Sequence, residues 1–114
     1  MNSTAFYITN ILLSAGFMLM AFLFRKFIPK ERNSIYGYRT RRSMKSDSAW
    51  LLANRYSSHL MFKLAIWISI IHLGVLLFLN SPHTILVLSV LWVIMPLFVI
   101  YRTERLLKRE SEEE

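Results

Sequence analysis

Three apolar blocks, each about the length of a membrane-spanning helix, constrain this chain more than anything else in it. They run over about 5–24 (AFYITNILLSAGFMLMAFLF), about 60–79 and about 84–101. Twenty helical residues at 1.5 Å each cover about 30 Å, the thickness of a bilayer's hydrocarbon core. A soluble fold would have to hide all three blocks from water. With 114 residues, 54% of them apolar, too little polar chain remains to coat such a core. The expected fold class is therefore an all-α integral membrane protein with three transmembrane helices, forming a single membrane domain over 1–114.

The polar segments divide the chain. A loop over 25–57 follows the first block, which ends at Arg25-Lys26 with Pro29 just beyond. The basic pair follows that block instead of preceding it, the reverse of a cleavable signal peptide, so the block reads as a retained span. Ser46 or Asp47 can cap a helix that runs through Trp50 and Tyr56 toward the second block. That stretch is either interfacial or an extension of the second span, and Trp50 and Tyr56 suit headgroup level. Asn80-Ser81-Pro82-His83 is short enough to join only neighbouring antiparallel helices, so spans two and three are expected as a tight hairpin. Pro96 should kink the third span or free a carbonyl. The tail, 102–114, carries both signs of charge and is expected to fray into water.

Charge sets the expected orientation. Arg25, Lys26, Lys30, Arg32, Arg39, Arg41, Arg42, Lys45 and Arg55 lie in the 25–57 loop, and Arg102, Arg105, Lys108 and Arg109 in the tail. The N-terminal segment and the 80–83 turn have no Lys or Arg. The positive-inside rule then puts the N-terminus outside and the loop and tail in the cytoplasm. The net charge of +7 reads as a surface for anionic headgroups, not for nucleic acid. The absence of cysteine removes disulfides, thiolate nucleophiles and cysteine zinc sites.

Two sets of residues could carry function. The loop contains Asn33, Tyr36, Gly37, Tyr38, Arg39 and Thr40, followed by Ser43 and then Trp50 and Asn54. Glycine permits close backbone approach, arginine offers a planar fork for an anion, and the tyrosines suit the interface. The order N-x-x-Y-G-Y-R-T, a gap, then W-x-x-x-N before a membrane span resembles the family of the SdpI immunity protein, over roughly residues 30–80. That resemblance implies a bacterial inner-membrane protein that protects its producer against a secreted antimicrobial peptide. It also carries the expectation that Arg39 and Asn54 hold the loop in a partly buried structure, with Arg39 on carbonyls, on Asp47 or on a lipid phosphate.

The second set lies inside the spans. Asn10, Ser14, Ser69, His72 and Ser89 fall in the central-to-outer part of the membrane, and Tyr7, Asn10 and Ser14 share one face of the first helix. Unpaired polar groups in hydrocarbon cost several kcal/mol, so these should face protein, with His72 bonded to Asn10, Ser14 or Ser89. Lys63 can snorkel to the interface. No convergent catalytic set, metal-ligand spacing or cofactor motif is present, so no enzyme activity, metal or cofactor is expected. The leading reading is a binding or protective protein of the immunity type whose helix bundle meets a peptide toxin or a lipid. The alternative is a small structural or regulatory subunit that docks on a larger membrane complex or recruits a cytosolic regulator through the basic loop. Proton or ion transport through His72 is a third reading, and it would need a homo-oligomer to form a lumen.

Overall fold

The computed structural model describes residues 2–79 and 81–113. It contains three helices, α1 Ser3–Lys26, α2 Asp47–Phe78 and α3 Pro82–Glu113, with no strand among the described residues. Each is long and apolar enough to cross a membrane. The molecule is elongated, 55 × 23 × 18 Å. Residue 80, in the turn expected between α2 and α3, lies outside the described residues.

Helix starts follow local chemistry. The Asn2 side chain accepts from the Ala5 N–H at 2.7 Å and starts α1, and Ser46 accepts from the Ala49 N–H at 3.0 Å and starts α2. Asp47 in the first turn of α2 suits the positive end of the helix dipole. α3 opens on Pro82, whose missing N–H costs nothing at a first helical position. At Pro96 the missing N–H leaves the Trp92 carbonyl without its usual donor, yet α3 runs on unbroken.

Of the two alternatives for the stretch before the second block, the structure has the extension of the second span: α2 is one helix of 32 residues, about 48 Å long and well beyond what a bilayer needs. One expectation is corrected. The tail is helical to Glu113 instead of frayed, because Thr103 and Leu107 are buried against the rest of the protein. Packing adds to the good helix propensity of a stretch made mostly of Arg, Glu, Leu and Lys.

The core is a narrow seam. Ala21 of α1, Ala65 of α2 and Trp92, Met95 and Val99 of α3 are buried together, and Phe17 stacks on Trp92 with centroids 4.9 Å apart. Alanines at the crossing let helices approach closely, which suits association in lipid, where apolar burial alone gives no drive. Outside the seam the spans present Leu12, Leu19, Trp67, Leu73, Leu97 and similar side chains outward, as lipid-facing helices should.

Candidate functional site

The loop between α1 and α2 is folded and docked. Asn33 accepts from the N–H groups of both Ile35 and Tyr36 at 2.9 Å, a turn that an asparagine makes with its own following backbone. The Tyr36 hydroxyl reaches back to the Phe27 carbonyl at 3.3 Å. Gly37 follows with φ 109°, a conformation that side chains strain. A Cβ there would also stand 2.7 Å from Pro29 Cγ, 2.8 Å from Asn54 Oδ1 and 3.3 Å from Trp50 Cη2. Gly37 is thus required twice, by its dihedral and by the side chains it touches.

Trp50 and Asn54, one turn apart on α2, receive the loop. Trp50 is fully buried, and its Nε1–H donates to the Pro29 carbonyl at 2.8 Å. It is no headgroup anchor, because the loop covers the ring that the sequence left looking interfacial. The Asn54 side chain accepts from the Tyr38 N–H at 2.7 Å and donates to the carbonyls of Trp50 at 2.9 Å and Tyr38 at 3.4 Å. One buried amide therefore pairs both backbone groups of Tyr38. Thr40 and the fully buried Ser43 close the next turn: the Thr40 N–H donates to Ser43 Oγ at 2.8 Å, and the Ser43 N–H to Thr40 Oγ1 at 3.3 Å.

Tyr38 ties the loop to α3. Its hydroxyl donates to Glu104 at 2.8 Å, and Arg42 donates to the other oxygen of that carboxylate at 3.2 Å. Burial, then the adjacent Glu104, push the phenol of Tyr38 above its usual range. Glu104 lies just past the apolar part of α3. Burial pushes its carboxyl up, but hydrogen bonds from Thr40, Tyr38 and Arg42, with the charge of Arg42, outweigh that and hold it below the usual carboxylate value.

The expectation for Arg39 fails. Its side chain is exposed and makes no hydrogen bond among the described residues. The two arginines that hold the loop are Arg42, on Glu104, and Arg32, on Asp47 at 3.2 Å and the Met44 carbonyl at 2.9 Å. Tyr38 is buried and its neighbour Arg39 is exposed. Sequence reasoning missed Pro29, Arg32, Arg42 and Glu104 as partners. The Thr40–Ser43 spacing was a visible hint of a local turn, whereas nothing in the sequence pairs Tyr38 with a residue 66 positions away.

In the spans, the structure brings Asn10 and His72 together. Asn10 Nδ2 donates to the Phe6 carbonyl at 2.8 Å, which leaves its Oδ1 to accept from His72 Nε2–H at 2.8 Å. That assigns the imidazole proton to Nε2 and leaves the buried Nδ1 without a partner. Ser14 and Ser69 pair at 3.2 Å one turn further in. Ser89 is half-buried and bonds to none of them. Asn10, Ser14, Ser69 and His72 floor a groove of about 310 Å³ between α1 and α2, rimmed by Ile11, Met18, Leu73 and Leu76 and open toward the lipid. Lys63 is exposed on the outer surface of α2. Among the described residues no three His, Asp or Glu side chains come together as a metal site.

This geometry coincides with what comparison with known proteins marks out. The sequence model of the SdpI/YfhL protein family matches residues 30–102, from the docked loop to the end of the apolar part of α3. The uncharacterized protein YfhL of Bacillus subtilis (strain 168) is 53% identical over 51 residues, 44% of this chain and 46% of that protein. The match thus spans about half the length of the curated relative. No solved structure matches. The family match takes in well over half of the chain, and the chain belongs to the SdpI/YfhL family.

Proposed function

We propose that this member of the SdpI/YfhL family is a non-catalytic binding protein of the bacterial cytoplasmic membrane that protects its host against a secreted antimicrobial peptide. Its N-terminus faces out, and its loop and C-terminus face the cytoplasm. The observation that carries the reading is how the motif is used. Asn33 is spent on the loop's own turn, Gly37, Trp50 and Asn54 on holding the loop against α2, and Tyr38 fixes it to α3. Groups so completely paired are a scaffold and not a reaction centre. They brace the cytoplasmic ends of three helices whose outer halves offer a polar-floored groove to the hydrocarbon. That is a suitable surface for an apolar peptide already in the membrane.

The test is survival. A peptide-sensitive bacterium expressing the chain should withstand the toxin, and the Asn54→Ala variant, which releases the loop, should protect less. Killing equal to that of cells without the chain would remove the immunity reading. Orientation is checked separately, because the natural chain has no cysteine. Single cysteines at Ser3 and Ser81 should react with an impermeant thiol reagent on intact cells, and one at the exposed Ser34 should not.

A further inference from the structure

The C-terminal extension of α3 has two unlike faces. Glu104 and Leu107 turn toward the docked loop, where Glu104 is held by Tyr38 and Arg42 and Leu107 is buried. Arg102, Arg105 and Arg109 fall at i, i+3 and i+7 on the other face, with Lys108 outside that stripe. The three arginines, Leu106 and Tyr56 of α2 line one pocket of about 420 Å³. Neither Arg102 nor Arg105 forms an ion pair among the described residues, and no acidic residue stands three or four positions from either.

Depth identifies the ligand. Arg102 directly follows Tyr101, the last residue of the apolar run, and Arg105 stands about 4.5 Å further along the axis. The headgroup layer is about 5–7 Å thick on each side, so both backbones lie within it. Side chains on a helix lean toward its N-terminus, which here means back toward the bilayer. Arg102 does so: its guanidinium lies over the ring of Phe98, one turn nearer the membrane, at 5.8 Å from the centroid. Arg109, about 10 Å beyond Arg102, closes the watery rim. Guanidinium forks match phosphate oxygens, and the Tyr56 hydroxyl adds a donor.

We propose that Arg102, Arg105, Arg109 and Tyr56 form a binding site for the phosphate of an anionic phospholipid in the leaflet where α3 leaves the membrane. The site rests on the chain crossing the bilayer and is independent of the immunity reading. It would fasten α3 to the headgroups on the side away from the loop.

Native mass spectrometry of the full chain released from mixed micelles tests it, with phosphatidylglycerol and phosphatidylcholine of equal acyl length as probes. The wild type should retain phosphatidylglycerol in preference, and that preference should weaken as salt rises. Arg102→Gln with Arg105→Gln should lower retention by about fivefold for each arginine. Arg105→Lys should fall between, and Lys108→Gln should match the wild type. Unchanged helicity would show that the double variant is folded, and Arg105→Lys carries the test if it is not. Equal retention of the two lipids, or no loss in the folded variant, overturns the site. So does displacement of the lipid by millimolar inorganic phosphate, which would make it a free-anion site, or by polyglutamate, which would make it a protein-docking surface.

Discussion

The two ends of the bundle are held by different means. At the loop end, a folded segment is clasped by buried polar side chains: Asn54, Ser43 and the indole N–H of Trp50 each satisfy specific backbone groups. In the hydrocarbon half, small residues and stacked rings pack along a narrow seam, with two polar pairs, Asn10–His72 and Ser14–Ser69, between α1 and α2. Water explains the contrast. At the loop end the unfolded segment would be fully solvated, so only near-complete pairing makes docking favourable. In lipid the separated helices keep their own backbone bonds, and polar contacts between them are worth only about 0.6 kcal/mol on average.

The most severe test of this comparison is Gly37→Ala. The new Cβ meets Pro29 and Asn54 at under 3 Å and must adopt φ 109°. The cost should be about 3 kcal/mol or more, seen as lost yield or a lower unfolding midpoint in detergent. Gly16→Ala and Gly74→Ala meet nothing within 4 Å and should fold normally. If all three behave alike, the loop is not docked as described.

Asn54→Ala and Asn10→Ala set the two ends against each other. The first strands the buried Tyr38 N–H, while the Tyr38 carbonyl keeps Ser43 and the Trp50 carbonyl its helical donor, and it should cost about 1–3 kcal/mol. The second removes the partner of His72 and should cost about 1 kcal/mol or less. Chemical unfolding in a common detergent gives both values, and a larger loss for Asn10→Ala would reverse the comparison.

The smallest effects concern charge at the loop end. Arg42→Ala should cost about 0.5–1 kcal/mol, since its pair with Glu104 is half-exposed, whereas Arg39→Ala should lie within error. Folding favours the ionised form of Glu104, because its carboxyl is held below its ordinary value. Its contribution is therefore complete above the ordinary carboxylate range and is lost as pH falls through the lowered value. Thermal scans should show the wild type losing more stability than Glu104→Gln on acidification from neutral pH. Parallel pH profiles would mean that Glu104 carries no such linkage.

Much of this fold was legible in the sequence, and little of the site's wiring was. Twenty apolar residues in a row have one low-energy arrangement in a bilayer, a helix that satisfies every backbone group internally. The three spans follow from that without knowledge of any contact. The Asn10–His72 pairing was also within reach, because span depth can be counted from the ends of each block and a buried polar stripe must face protein. Partners in the loop could not be counted this way. Arg39 and Arg42 look alike in sequence, and only the folded loop decides which is free. Trp50 had the composition of an interface residue until the loop covered it. Glu104 stood in a charged tail that seemed made for water, yet it meets Tyr38 and Arg42 across more than sixty residues. Periodicity reports which face of a helix is apolar. The partner that fills that face is chosen by close packing and hydrogen-bond geometry between distant segments, and these exist only once the chain has folded.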